Sequence, residues 1–149
     1  MQKPPIAAWV ATIFCAVTLA SHAQSARTFK ARLSPVPIDV AMQATISGSG
    51  AATAVLTGAK LTVTGTFEGL RSPATTAQVH KSPTRGVRGP VVFDLVPSAG
   101  TSGTINASVD LTPAQITDLE KGRLYVQLHS EKAPDGNLWG WLLPVEAKR

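Results

Sequence analysis

Cysteine is almost missing from this chain: the one residue of that type, Cys15, lies inside an apolar run near the N-terminus. With no second thiol there is no disulfide framework and no thiolate metal centre, so the domain must hold itself together by burial. Aromatic residues make up 5% and charged residues 15% of the sequence, which leaves no interleaved basic and aromatic surface of the kind nucleic-acid binders carry, and no nucleic-acid partner is expected. The 9 acidic residues are scattered and show no pairing suited to acid–base hydrolysis. A Ser-His-Asp set can be drawn from Ser82 or Ser130, His80 or His129, and Asp94. Neither serine sits in a nucleophile elbow, so an enzyme is not expected.

The apolar run, residues 6–20, follows Lys3 and precedes Ser21-His22-Ala23. It is shorter than the roughly 20 residues that cross a bilayer, and small residues stand where a signal peptidase reads. Residues 1–23 are therefore expected to be a signal peptide, the protein periplasmic or secreted, and residues 24–149 a single domain with no membrane span after cleavage. Loss of Lys3 leaves 13 of the 14 basic residues against 9 acidic ones. The excess is concentrated: Lys81, Arg85 and Arg88 share one loop, and Lys148-Arg149 close the chain.

Period-2 alternation dominates what remains. It is cleanest in residues 60–68, where Leu61, Val63 and Phe67 alternate with Thr62, Thr64, Thr66 and Glu68; such a strand has one face in a core and one outside. Similar runs predict strands at 28–33, 42–46, 51–57, 75–80, 91–95, 104–111, 124–129 and 138–143. Gly58-Ala59 has the signature of a type II′ hairpin turn, Pro134-Asp135-Gly136-Asn137 reads as a turn, and residues 98–103 read as a flexible linker. Only one segment changes period. Thr112 and Gln115 form a capping box around Pro113, and Gly122 follows the last helical turn, predicting a helix over about 112–121 with Ile116 and Leu119 against the sheet. The class expected is all-β: an antiparallel immunoglobulin-like β-sandwich or barrel with one short α-helix.

Two strands end alike, Gln78-Val79-His80 and Gln127-Leu128-His129. Residues two apart share a face of a strand, so Gln78 pairs with His80 in direction and Gln127 with His129. If the strands are neighbours, the four form one polar cluster. Two imidazoles can also hold copper or zinc loosely, with Gln78 where a third ligand would stand. The loop after His80 offers Lys81, Arg85 and Arg88 between prolines, with glycines that admit close approach, and suits carboxylate, phosphate or acidic polysaccharide. Trp139 and Trp141 alternate with Leu138 and Leu142 and are expected to face outward, toward a ligand or beneath a covering segment.

The chain from about Thr28 to Leu143 resembles the chordin-type (CHRD) domain of many bacterial exported proteins and of chordin. Carrying the resemblance are Val36-Pro37 after the first strand, Gly69-Leu70 after the strand at 61, and Gly86-x-x-Gly89-Pro90-Val91-Val92-Phe93-Asp94-Leu95. Leu111-Thr112-x-x-Gln115 and Gly122-Arg123-Leu124-Tyr125-Val126-x-x-His129 complete it. The family commonly has His-x-His where Gln78-Val79-His80 stands, Asn-Val-His-Thr at Gln127 to Ser130, and Gly-Glu-Ile-Arg-Gly at Gly136 to Gly140. The resemblance implies an immunoglobulin-like β fold and a binding rather than a catalytic role. The expected function is thus an exported binding module for an acidic ligand or a partner protein, without a cofactor, through Gln78, His80, Lys81, Arg85, Arg88, Gln127, His129 and Trp139. The alternative is a periplasmic copper- or zinc-binding protein with a superoxide-dismutase-like site at His80 and His129.

Overall fold

A computed structural model describes residues 24–146; the expected signal peptide and Lys148-Arg149 lie outside the described residues. Strands β1 (Arg27–Pro35), β2 (Ser49–Thr57), β3 (Lys60–Glu68), β4 (Ala74–Lys81), β5 (Val91–Pro97) and β6 (Gly103–Asp110) precede helix α1 (Pro113–Glu120), and β7 (Leu124–Ser130), β8 (Ala133–Trp141) and the short β9 (Leu143–Pro144) follow it. The strand order is β2-β3-β6-β5-β4-β7-β8-β1-β9, and β1 also pairs with β2. Eight strands therefore close on themselves as an antiparallel barrel. Closure removes the open edges that would otherwise template aggregation.

Connectivity is Greek-key. The hairpin-linked β4, β5 and β6 lie side by side, with β3 returning beside β6 and β7 beside β4. Two seams are short: β5 meets β6 only through Val96↔Asn106 and Pro97↔Ile105, and β1 meets β8 only through Ser34↔Trp139 and Pro35↔Leu138. The barrel is thus two sheets joined at two corners, so the sandwich and barrel descriptions meet in one object.

Alternation in the sequence becomes the wall of the core. Leu61, Val63 and Phe67 point inward with Leu33, Leu56, Ile105, Val79, Val126, Leu128 and Leu138. Each such leucine or isoleucine contributes roughly 1.5–3 kcal/mol by leaving water. Helix α1 plugs one end through Leu119, with Ile116 packed beside it. Its start is as the residues dictate: Thr112 Oγ1 accepts from the Gln115 amide at 3.3 Å, and Gln115 Oε1 accepts from the Thr112 amide at 2.8 Å.

Three expectations change. Residues 42–46 are not a strand; Ala41–Ala44 is a 3-10 helix, started by Asp39, whose Oδ1 accepts from the Met42 amide at 2.9 Å. That local bond outcompetes a weak alternation with no partner strand. Residues 98–103 are not a free linker, because the carbonyls of Thr101 and Gly100 accept from the amides of Leu70 and Ala74, and Ser98 and Thr104 bond across the turn. Pro134–Asn137 is not the turn between β7 and β8. The chain reverses at Glu131–Lys132, and Pro134–Asn137 lies within β8 as a wide bulge: the register jumps from Ser130↔Ala133 to Leu128↔Leu138, leaving His129 opposite four residues. Gly136, at φ 129°, makes the bulge sterically accessible.

At the β1–β8 corner the backbones approach so closely that a Cβ on Gly140 would meet the Arg32 carbonyl and the Leu33 side chain. Gly140→Ala is expected to lower the unfolding free energy by about 1–3 kcal/mol, read as a lower midpoint in urea. An unchanged midpoint would show that the corner does not constrain closure.

Candidate functional site

Across β4, β7 and β8 the register builds two rows on the outer face of the barrel. Gln78 is opposite Gln127, which is opposite Trp139; His80 is opposite Tyr125, which is opposite Trp141. His129 lies two residues beyond Gln127 on the same face. This outer face is not wet. Val36 and Ile46, from the β1–β2 connection, pack with Tyr125, Ala133 and Trp139 as a second small core, and Trp141 lies against it. Tyr125 is its hub, with ring centres 5.0 Å from both His80 and Trp141 and 6.0 Å from Trp139.

The loop between β4 and β5 closes over the histidine side. The Gly89 carbonyl lies 2.9 Å from His80 Nδ1, and the Gly89 amide donates to the Tyr125 hydroxyl at 3.1 Å. Arg88 donates to the Asp135 carbonyl on the β8 bulge. From that bulge, the Pro134 carbonyl lies 2.8 Å from His129 Nδ1, and the Asp135 carbonyl accepts from Gln127 Nε2 at 3.0 Å. A carbonyl only accepts, so both imidazoles carry their proton on Nδ1 and a lone pair on Nε2 when neutral. Neither Nε2, nor Gln127 Oε1, nor the indole Nε1 of Trp141 has a hydrogen-bond partner, although all four are buried. The two rings are 6.5 Å apart, centre to centre.

Burial holds the His129 pKa below its ordinary value of 6.5; the neighbouring His80 and Arg88 push the same way, against the bond to Pro134 and the Asp135 charge. Of the expected site residues, His80, Gln127, His129 and Trp139 therefore come together. Gln78 shares their face but turns to Asp94, donating to Oδ1 at 2.9 Å. Lys81 reaches the largely buried Asp118 of α1 at 2.7 Å, and Arg88 is bound to the bulge.

Arg85 goes elsewhere. It lines a groove of about 220 Å³ over the β1–β8 corner with Lys30, Arg32, Trp139 and Trp141. Among the described residues, the ion pairs are Arg27–Glu120, Lys81–Asp118 and Arg123–Asp118, and none uses the three groove cations. Lys30 and Arg32 were legible as outward residues, since they alternate with Phe29, Ala31 and Leu33. Their meeting with Arg85 depends on the seam and was not. Tyr125 was passed over because one aromatic in an apolar strand carries no signal of its own.

The fold is a closed antiparallel β-barrel with one covered polar face, and what supports a binding module in general is its family. Residues 29–142 match the CHRD domain, and the chain belongs to that family. No curated protein and no solved structure matches the chain.

His129 should titrate below 6.5 by 15N-resolved NMR. Its folded form then binds fewer protons than its unfolded form, so stability is full above about 6.5 and falls as the pH drops through that value. His129→Gln should flatten this acid slope in urea midpoints; an unchanged slope would assign the loss to other groups.

Proposed function

We propose that the protein is an exported binding module whose ligand is acidic and bears a flat apolar face, such as an acidic sugar, and that it docks in the groove of Lys30, Arg32 and Arg85. One observation carries this reading: three cations without acidic partners converge on the exposed edge of a tryptophan pair whose ring centres are 4.8 Å apart. Guanidinium groups bind carboxylate and sulfate oxygens bidentately, and an indole face stacks on the apolar face of a sugar ring. The scaffold favours rigid recognition, since Arg32 and Trp139 stand on strands and the groove crosses a glycine-tight corner. Export remains the expectation from residues 1–23, and it would bring the groove to extracytoplasmic glycans or acidic protein segments.

The mature chain should be retained on a sulfated polysaccharide column and elute with added salt. Arg32→Ala with Arg85→Ala should elute at markedly lower salt, while Lys60→Ala, in the β2–β3 hairpin, should not. Because the Debye length shrinks to about 8 Å at physiological salt, a purely surface attraction would respond equally to all three changes, and that result would remove the groove as the site. Retention on the polysaccharide but not on polyglutamate would separate a glycan from an acidic peptide.

A further inference from the structure

Four buried polar atoms of this face lack a partner: the acceptors His80 Nε2, His129 Nε2 and Gln127 Oε1, and one donor, the indole Nε1 of Trp141. A buried acceptor left without a donor is destabilising, so three together call for something that donates to, or is coordinated by, lone pairs. His80 is opposite Tyr125, and His129 is four residues further along β7, a distance of roughly 13 Å along the strand. Yet the ring centres are 6.5 Å apart. The two side chains lean toward one another over Gln127, which lies between them in register.

The hydrogen bonds behind both rings and behind Gln127 are of the kind that orient metal ligands. Each Nδ1 is held by a backbone carbonyl, which fixes the tautomer and orients Nε2, as second partners of metal-bound histidines do. Gln127 Nε2 is likewise held by a carbonyl, fixing its oxygen. With metal–nitrogen bonds of about 2.0 Å and about 1.1 Å from nitrogen to ring centre, two imidazoles on one ion have centres about 5 Å apart at a tetrahedral angle and about 6.3 Å when opposed. The observed 6.5 Å lies just beyond the opposed limit, so a shared ion would draw the rings together by a few tenths of an ångström. Near-linear coordination by two imidazoles is a preference of d10 monovalent ions.

Charge points the same way. The donor set is neutral, Arg88 is close, and among the described residues no three of His, Cys, Asp and Glu are grouped to hold a metal. Desolvating a divalent ion against such a set is far costlier than desolvating a monovalent one, since the solvation energy scales with the square of the charge. Tyr125 stacks on His80, and Trp139 and Trp141 pack against Tyr125 behind it. We propose that His80 Nε2 and His129 Nε2, assisted by Gln127 Oε1, form a binding site for one Cu(I) ion on the covered outer face of the barrel, separate from the anion groove.

The test is an anaerobic titration of the mature chain with Cu(I) against the chromophoric chelator bicinchoninate. One equivalent should be withheld from the chelator. His129→Gln and His80→Gln should each lose about 100-fold in affinity or more, Gln127→Leu should lose less, and Arg32→Ala with Arg85→Ala should lose nothing, so that failure here and failure of the groove are distinguishable. A chelator that takes all the copper overturns the site, as does equal retention by both histidine variants. Since either variant can disturb the aromatic cluster, the unsubstituted protein supplies a second readout. On adding Ag(I), the Nε2 15N resonances of both histidines should move together, with Nδ1 still protonated. Unmoved resonances would leave an ordered water as the partner of these atoms and sink the proposal, and tighter binding of Zn2+ than of Cu(I) would sink the monovalent assignment.

Discussion

Strand β7 is buried on both faces. Leu124, Val126 and Leu128 point into the barrel, Tyr125 and Gln127 point out of it, and only His129 is more than marginally accessible along the whole strand. An antiparallel sheet ordinarily keeps one face for water, so a second cover has to be supplied from outside the barrel. The β1–β2 connection, the β4–β5 loop and the β8 bulge supply it, and nearly every feature of the polar face follows from how they are fastened. A cover laid on backbone must leave no backbone polar group stranded. Here the fastening groups are the carbonyls of Gly89, Pro134 and Asp135, each of which accepts from a side chain of the covered face.

That fastening decides the chemistry of the histidines. Because Nδ1 is committed to a carbonyl in both rings, what each presents inward is a lone pair rather than a proton. Burial then disfavours a second proton on His129, and Arg88, held against the same bulge, disfavours it further. The face therefore presents three unpaired acceptors against one unpaired donor, the Nε1–H of Trp141. Ser130 and Asn137, buried beside it, show the contrasting case: Ser130 donates to Asn137 Oδ1 at 3.1 Å, tying the bulge to β7, and Asn137 Nδ2 donates to the Ser47 carbonyl at 2.7 Å, tying it to the cover.

Much of this was legible where it depended on neighbours in sequence. Alternation placed Leu61, Val63 and Phe67 in the core, the capping box placed α1, and the shared Gln-x-His ending placed His80 and His129 on one face. Legibility failed where a local signal met a distant partner. Pro134-Asp135-Gly136-Asn137 has turn chemistry, but the hydrogen bonds from Gln127, His129 and Arg88 hold it inside β8, and only the pairing of β7 with β8 could show that. Nor could spacing show that Gln78, two residues from a histidine as Gln127 is, donates to Asp94 on β5. Lys30 and Arg32 were ordinary outward residues until the β1–β8 seam set them beside Arg85.

The same seam explains how one tryptophan pair can border two environments. Trp139 is opposite both Gln127 and Ser34, so one edge meets the covered acceptor face and the other meets the cationic groove. Trp141 sits one pleat further along, against Tyr125 on one side and the groove on the other. An indole excludes water without offering an acceptor, which keeps the lone pairs of His80, His129 and Gln127 from being solvated through the groove. It also keeps the groove cations away from those lone pairs, where a guanidinium would otherwise donate and fill them. The separation of a basic surface from a basic interior thus rests on two aromatic side chains at one glycine-tight corner.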